Sequence, residues 1–222
     1  MADIAVRRFR LLVFDWDGTL ADSTGLIAYA IQQACRDIGE PVPGDIAARH
    51  VIGLGLADAL AHVAPGLPPE RHGDLALRYR HHYLARDPEI PLFEGVREML
   101  DELDAAGYLL AVATGKSRAG LNRALGQQRF EHRFTATRCA DEGYPKPNPD
   151  MLLHLMDRLG AERHETLMIG DTTHDLELAR NAGAEAVAVS YGAHELDGLM
   201  RLDPLAIVHS VAELRRWLRT NA

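Results

Sequence analysis

The sequence predicts an α/β fold: a doubly wound parallel sheet with a small all-helical domain inserted after the first strand. Three observations predict it. Short runs rich in Val, Leu and Ile recur along the 222 residues without alternating polar positions, as in a sheet covered on both faces. Stretches with apolar residues at helical spacing separate them. One segment, from Ser23 to about Pro91, interrupts this alternation and offers no strand.

The strands are expected at RLLVFD (10–15), YLLAVAT (108–114), TLMIGD (166–171), EAVAVS (185–190) and AIVHS (206–210). After the first strand, LIAYAIQQACRDIG sets Ile27, Ile31, Ala34 and Ile38 at helical spacing, and ERHGDLALRYRHHYLARD also reads as a helix. Pro41, Pro43, Pro65, Pro68 and Pro69 punctuate this insert, and Pro88 and Pro91 close it. The core domain is therefore expected over 1–21 and 90–222, and the helical insert over 22–89. Beyond it, Val96, Met99, Leu100 and Leu103 form one helical face that ends at Gly107, a C-cap signal. Leu152, Leu155, Met156 and Leu159 form another, ending at Gly160. The last helix opens on Ser210 and Glu213 at capping-box spacing and carries Val211, Leu214 and Leu218.

Composition narrows the function. Hydrophobic residues make up 47% of the chain, enough for a sizeable core. A formal net charge of −8 argues against nucleic-acid or anionic-membrane binding, so an anionic substrate must be attracted locally. Cys35 and Cys139 read as free thiols of a reducing compartment. No apolar run approaches the roughly 20 residues of a membrane span. Arg7, Arg8 and Arg10 precede LLVF, which is too short for a signal-peptide core. The expectation is a cytoplasmic globular protein.

Ligands of open parallel sheets bind outside the carboxyl ends of the strands. The first strand ends in Asp15, with Asp17 in the following loop; the second ends in Thr114–Gly115; a later one ends in Gly170–Asp171, with Asp175 four residues on. Lys146 stands among prolines in YPKPNPD. Each piece alone has a plain structural use. An Asp after a strand is commonly a helix cap or turn former, ATG a strand end, KPNPD a solvated loop and GDTTHD a helix cap. Together they bring four acids, a hydroxyl and an ammonium to one sheet edge. Crowded carboxylates need a positive partner. Hard oxygen ligands suit Mg²⁺, which takes a few carboxylates plus a substrate phosphate. Thr114, the N–H groups beside Gly115 and Lys146 would supply donors for phosphoryl oxygens. A remaining carboxylate can attack phosphorus.

These residues resemble the haloacid dehalogenase superfamily of phosphotransferases, whose four motifs stand here in order: DWDGT at 15–19, ATG at 113–115, KPNPD at 146–150 and GDTTHD at 170–175. The helical insert between the first and second motifs looks like that superfamily's small cap domain, and the resemblance is closest to the phosphoglycolate phosphatase-like branch. It implies that Asp15 is the nucleophile that forms an aspartyl-phosphate. Asp17 would be the acid/base, with its backbone carbonyl on Mg²⁺. Asp171 would bind Mg²⁺ directly, and Asp175 would bind through water or orient Lys146. Thr114, Gly115 and Lys146 would hold phosphoryl oxygens. An acid at position 17 is what phosphatases and sugar-phosphate mutases need there. The implied activity is Mg²⁺-dependent hydrolysis of a small phosphorylated metabolite, phosphoglycolate-like or a sugar phosphate. The alternatives are a phosphomutase on the same scaffold and a non-enzymatic phospho-Asp switch.

Other residues keep two readings each. GLGL (53–56) is a turn of the insert, with or without a role facing substrate. Lys116 and Arg118 either attract the substrate's anionic end or begin a solvated helix. His81 and His82 are expected to face solvent, His174 to cover the site's rim, and Trp16 to pack in the core or touch the cap. Arg49 and His50 are weaker candidates for substrate contact. Oligomeric state is not legible.

Overall fold

The computed structural model describes residues 8–222; Arg7 lies outside the described residues. The first strand, β1 (Leu11–Phe14), is buried at every position. Leu12 and Phe14 enter one apolar layer and Leu11 and Val13 the other, so both faces of the sheet are covered.

Four helices follow before the second strand is approached: α1 (Thr24–Asp37), α2 (Asp45–His50), α3 (Leu56–Val63) and α4 (His72–Leu84). They form a helical unit around two apolar clusters, the first of which also takes in Ala193 from a later loop of the sheet domain. Ile27, Ile31, Val51, Ile52 and Tyr83 make one, and Ala34, Leu60, Leu67 and Leu75 make the other. The chain leaves and re-enters the sheet at adjacent points, where the Asp22 N–H donates to the Pro91 carbonyl (3.0 Å).

The rest alternates strand and helix: α5 (Val96–Ala105), β2 (Leu109–Thr114), α6 (Arg118–Gln128), β3 (Ala136–Cys139), α7 (Asp150–Leu159), β4 (Thr166–Gly170), α8 (Thr173–Ala182), β5 (Glu185–Val189), α9 (Leu196–Met200), β6 (Ala206–Val208) and α10 (Val211–Asn221). The strands form a parallel sheet of order β3-β2-β1-β4-β5-β6. The helix caps follow from sequence. Ser210 Oγ accepts the Glu213 N–H (3.2 Å) at the start of α10, and Gly160 closes α7 in the left-handed region.

The structure differs from the sequence-based expectation in one strand. Five strands are expected and six are present among the described residues. The additional one, β3, is a four-residue edge strand whose middle residues, Thr137 and Arg138, are half-buried and polar. It lacks the apolar run that marks the strands buried on both faces. The last strand also stops at Val208 rather than Ser210, because Ser210 turns to cap α10.

Candidate active site

The strand order reverses between β1 and β4, and the crevice at such a reversal is where open sheets bind ligands. Asp15 follows β1 directly and is buried. Gly18 makes the turn behind it at φ +85°, and a side chain there would collide with Asp171, at 2.1 Å from Cβ to Oδ2. Glycine thus lets the first loop close over the end of β4. Lys146 is buried and reaches across, its Nζ 2.8 Å from Asp15 Oδ1 and 2.6 Å from Asp175 Oδ1.

Each neighbouring acid is tied in turn. Asp175 Oδ2 accepts from Thr172 Oγ1 (2.7 Å) and the Thr172 N–H (3.1 Å), the capping box of α8. Asp171 Oδ1 accepts from Thr19 Oγ1 (2.8 Å), and its Oδ2 accepts the Ala193 N–H (2.7 Å). Asp17 points elsewhere. Its Oδ1 accepts from Ser23 Oγ (2.6 Å) and lies 3.0 Å from Lys116 Nζ, which also donates to Tyr83 Oη of α4 (2.8 Å).

Electrostatics in this pocket are strained. Burial, with the charges of Asp175 and Asp17, pushes the Asp15 carboxyl up to about 7 even though Lys146 opposes the shift. Burial, with the charges of Asp15 and Asp175, raises Asp171 as well. Burial alone would pull the Lys146 ammonium down, but Asp15 and Asp175 outweigh it and hold it charged. Carboxylate oxygens of Asp15, Asp171 and Asp175 lie within 4.8 Å of one another, and Asp15 Oδ2 is buried with no hydrogen-bond partner among the described residues. A hard cation fits this donor set, since it would satisfy the orphaned oxygen and relieve the repulsion.

The sequence-derived residues therefore converge. Asp15, Lys146, Asp171 and Asp175 meet in one cluster. Thr114 ends the neighbouring strand, buried, and its Oγ1 accepts the Lys116 N–H (3.2 Å). The side chain of Asp17 stands apart from the trio, on the cleft that faces the helical unit.

The GLGL turn sits against Gly115, where an added Cβ would lie 2.5 Å from the Leu54 carbonyl oxygen and 2.6 Å from that of Gly53. Lys116 is neither solvated nor free for an anion, because Asp17 and Tyr83 occupy it. Arg118 is bound to Glu142 and Thr137, and Arg49 to Asp45 and Thr24. His81 is exposed, but His82 pairs with Asp37 (2.7 Å) rather than facing solvent freely. Trp16 packs in the core, edge-on to Phe134. His174 and His194 both direct Nε2 at the His50 carbonyl (2.9 and 3.0 Å). The roles of Thr19, Ser23, Tyr83 and His194 had no spacing signal. Thr19 alone lies inside a motif, in DWDGT.

Comparison with known proteins agrees with this arrangement. The family model described as haloacid dehalogenase-like hydrolase matches residues 12–189. The chain is 38% identical over 210 residues to the probable phosphatase IndB of Dickeya dadantii, across 92% of this chain and 91% of that one. It is 30% identical over 218 residues to the phosphoglycolate phosphatase of Vibrio vulnificus, across 94% of this chain and 95% of that one. A solved hydrolase from Pseudomonas syringae superposes with a TM-score of 0.87 at 24% identity, over 95% of this chain and 98% of that one. At that identity the last likeness speaks for the fold. Motifs, fold and relatives agree: the chain belongs to the haloacid dehalogenase-like hydrolases, in the branch that resembles phosphoglycolate phosphatases.

Proposed function

We propose that the chain is a Mg²⁺-dependent phosphatase that hydrolyses a small phosphomonoester through an aspartyl-phosphate on Asp15. One observation carries the reading: Asp15 is buried between the Lys146 ammonium and the acid pair Asp171–Asp175, with Oδ2 unpartnered and facing no hydrogen-bond donor among the described residues. A nucleophile needs such a free oxygen, and electrostatic stabilisation beside it.

Asp15, Asp171 and the backbone carbonyl of Asp17 would hold Mg²⁺. When bound, the ion neutralises the carboxylates and the phosphoryl oxygens. Asp175 acts on Lys146: with one oxygen on Nζ and the other in the α8 cap, it fixes the ammonium over Asp15. Lys146, Thr114 Oγ1 and the Gly115 N–H would bind the phosphoryl oxygens.

In the first half-reaction an oxygen of Asp15 bonds to phosphorus as the bond from phosphorus to the alcohol oxygen breaks. Asp17 gives its proton to the departing alkoxide. In the second, water attacks phosphorus, Asp17 takes the proton back, and Asp15 is released with inorganic phosphate. Ser23 and Lys116 hold Asp17 between the nucleophile and the cleft that would contain the alcohol. The helical unit would act as the cap that excludes water from this exchange.

Phosphoglycolate, the substrate named for the Vibrio relative, and sugar phosphates belong in the panel to be tested. The test is phosphate release from a panel of phosphomonoesters with Mg²⁺ and with a chelator. Release that requires Mg²⁺ and no added bisphosphate supports the phosphatase. Activity only with an activating bisphosphate, and product retained as a phosphate isomer, would assign a mutase instead.

A further inference from the structure

The space between the helical unit and the sheet edge forms a cleft of about 640 Å³ that starts at Asp17, Gly115 and Lys116. That lies within the about 300–1,000 Å³ of sites that enclose ligands of drug size. It is far more room than a two-carbon alcohol needs. Its walls beside Asp17 are apolar: Ile27 and Ile31 of α1, Ile52 and Leu54 of the turn after α2, and Tyr79 and Tyr83 of α4. The two tyrosine rings stack, with centroids 5.7 Å apart and planes 20° from parallel.

Most charged groups of the cleft are already engaged. Lys116 is held by Asp17 and Tyr83 Oη. Arg123 pairs with Asp87 (3.3 Å), and Asp141 accepts the Arg118 N–H (2.8 Å). The remaining charges, Asp58 and Arg80, are exposed at the rim. A sugar in this space would turn several hydroxyls toward Ile and Tyr side chains. Each hydroxyl left unpaired there would cost roughly tenfold in binding. An apolar or aromatic body meets no such cost and gains from every carbon it buries.

We infer that the preferred substrate is the phosphate monoester of a bulky alcohol with an apolar or aromatic body, which lies against Ile31, Leu54 and Tyr79, rather than a sugar phosphate or phosphoglycolate. The inference rests on the phosphatase reading above and deepens it.

The test is kcat/KM for ethyl, butyl, hexyl and 2-phenylethyl phosphate beside glucose 6-phosphate and phosphoglycolate. All are esters of primary alcohols, so differences report the cleft more than the leaving group. The expected result is a rise of about threefold per added methylene, with 2-phenylethyl phosphate at least tenfold above glucose 6-phosphate and phosphoglycolate. In Leu54→Asn the rate with 2-phenylethyl phosphate should fall at least fivefold more than the rate with glucose 6-phosphate. A flat or falling series led by glucose 6-phosphate or phosphoglycolate overturns this inference and leaves the phosphatase standing. No Mg²⁺-dependent hydrolysis of any ester, p-nitrophenyl phosphate included, overturns both.

Discussion

Thr19 illustrates how single side chains hold the acid cluster together. Its hydroxyl donates to Asp171 Oδ1 in a fully buried setting, where an unmet carboxylate oxygen is costly. Thr19→Val should therefore lower stability by about 1–3 kcal/mol, read from urea unfolding. It should also raise the Mg²⁺ concentration needed for half-maximal phosphate release by about 10- to 100-fold, as expected on losing a partner that orients a metal ligand. Thr19→Ser should restore most of both; an unchanged Mg²⁺ titration in Thr19→Val would contradict the assignment of Asp171. The acids and Lys146 were legible in the sequence because phosphoryl chemistry demands those types at strand ends. Tyr83 was not, because only the folded chain brings α4 to Lys116.

Two contacts set how the turn after α2 meets the sheet edge. The first is the close approach of the Gly53 and Leu54 carbonyls to Gly115. Gly115→Ala keeps the N–H proposed for phosphate but forces the turn outward, since both obstructing atoms are backbone. We expect kcat/KM to fall about 10- to 100-fold with a melting temperature close to that of the parent; a parent-like rate would mean that the turn need not close. The second is the pair of imidazoles on the His50 carbonyl. His194 donates through Nε2 while Nδ1 accepts the Thr173 N–H, which fixes it as neutral. Burial, then the neighbouring His174 and His50, lower its pKa to about 4. A histidine with a depressed folded pKa binds fewer protons than in the unfolded chain between about 4 and 6.5. Its contribution is therefore complete above 6.5 and is lost as pH falls, by on the order of 2 kcal/mol at pH 5. His174, also lowered by burial, adds in the same direction. Unfolding of the parent and of His194→Asn at pH 7.5 and pH 5 checks this: the variant should lose less on acidification, and an equal loss would contradict it. At this scale five strands and five of the ten described helices, α1, α4, α5, α7 and α10, were legible from periodicity. The edge strand β3 was not, because one exposed side lets polar residues replace the apolar run.

The molecule as a whole works by opposing two parts across one sheet edge. The parallel sheet delivers Asp15, Thr114 and Asp171 to its carboxyl ends, and the helical unit brings apolar walls and Tyr83 over them. The chain crosses between the two at Asp22 and Pro91, next to the Asp15 loop, so movement of the helical unit would act directly on the site. With a net charge of −8, the proposed attraction of a phosphate dianion would fall to Lys146 and to a cation held by the acid cluster rather than to the global field. This architecture was legible from the strand–helix alternation and its single interruption. The character of the cleft was not, since its walls come from three helical segments with no common spacing. The proposed mechanism is covalent catalysis by Asp15 with Asp17 as acid/base. Asp17→Asn keeps the backbone carbonyl and loses the proton shuttle, which should slow turnover by about 10²–10⁴-fold. An activated aryl phosphate needs no proton on its leaving group, so the first step should outlast the second and the phosphoenzyme should accumulate. The direct measurement is mass spectrometry of Asp17→Asn quenched after exposure to p-nitrophenyl phosphate and Mg²⁺. A phosphoryl adduct on Asp15, absent when Asp15→Asn is added, is the expected result; no adduct, with near-normal turnover in Asp15→Asn, would rule out covalent catalysis by Asp15.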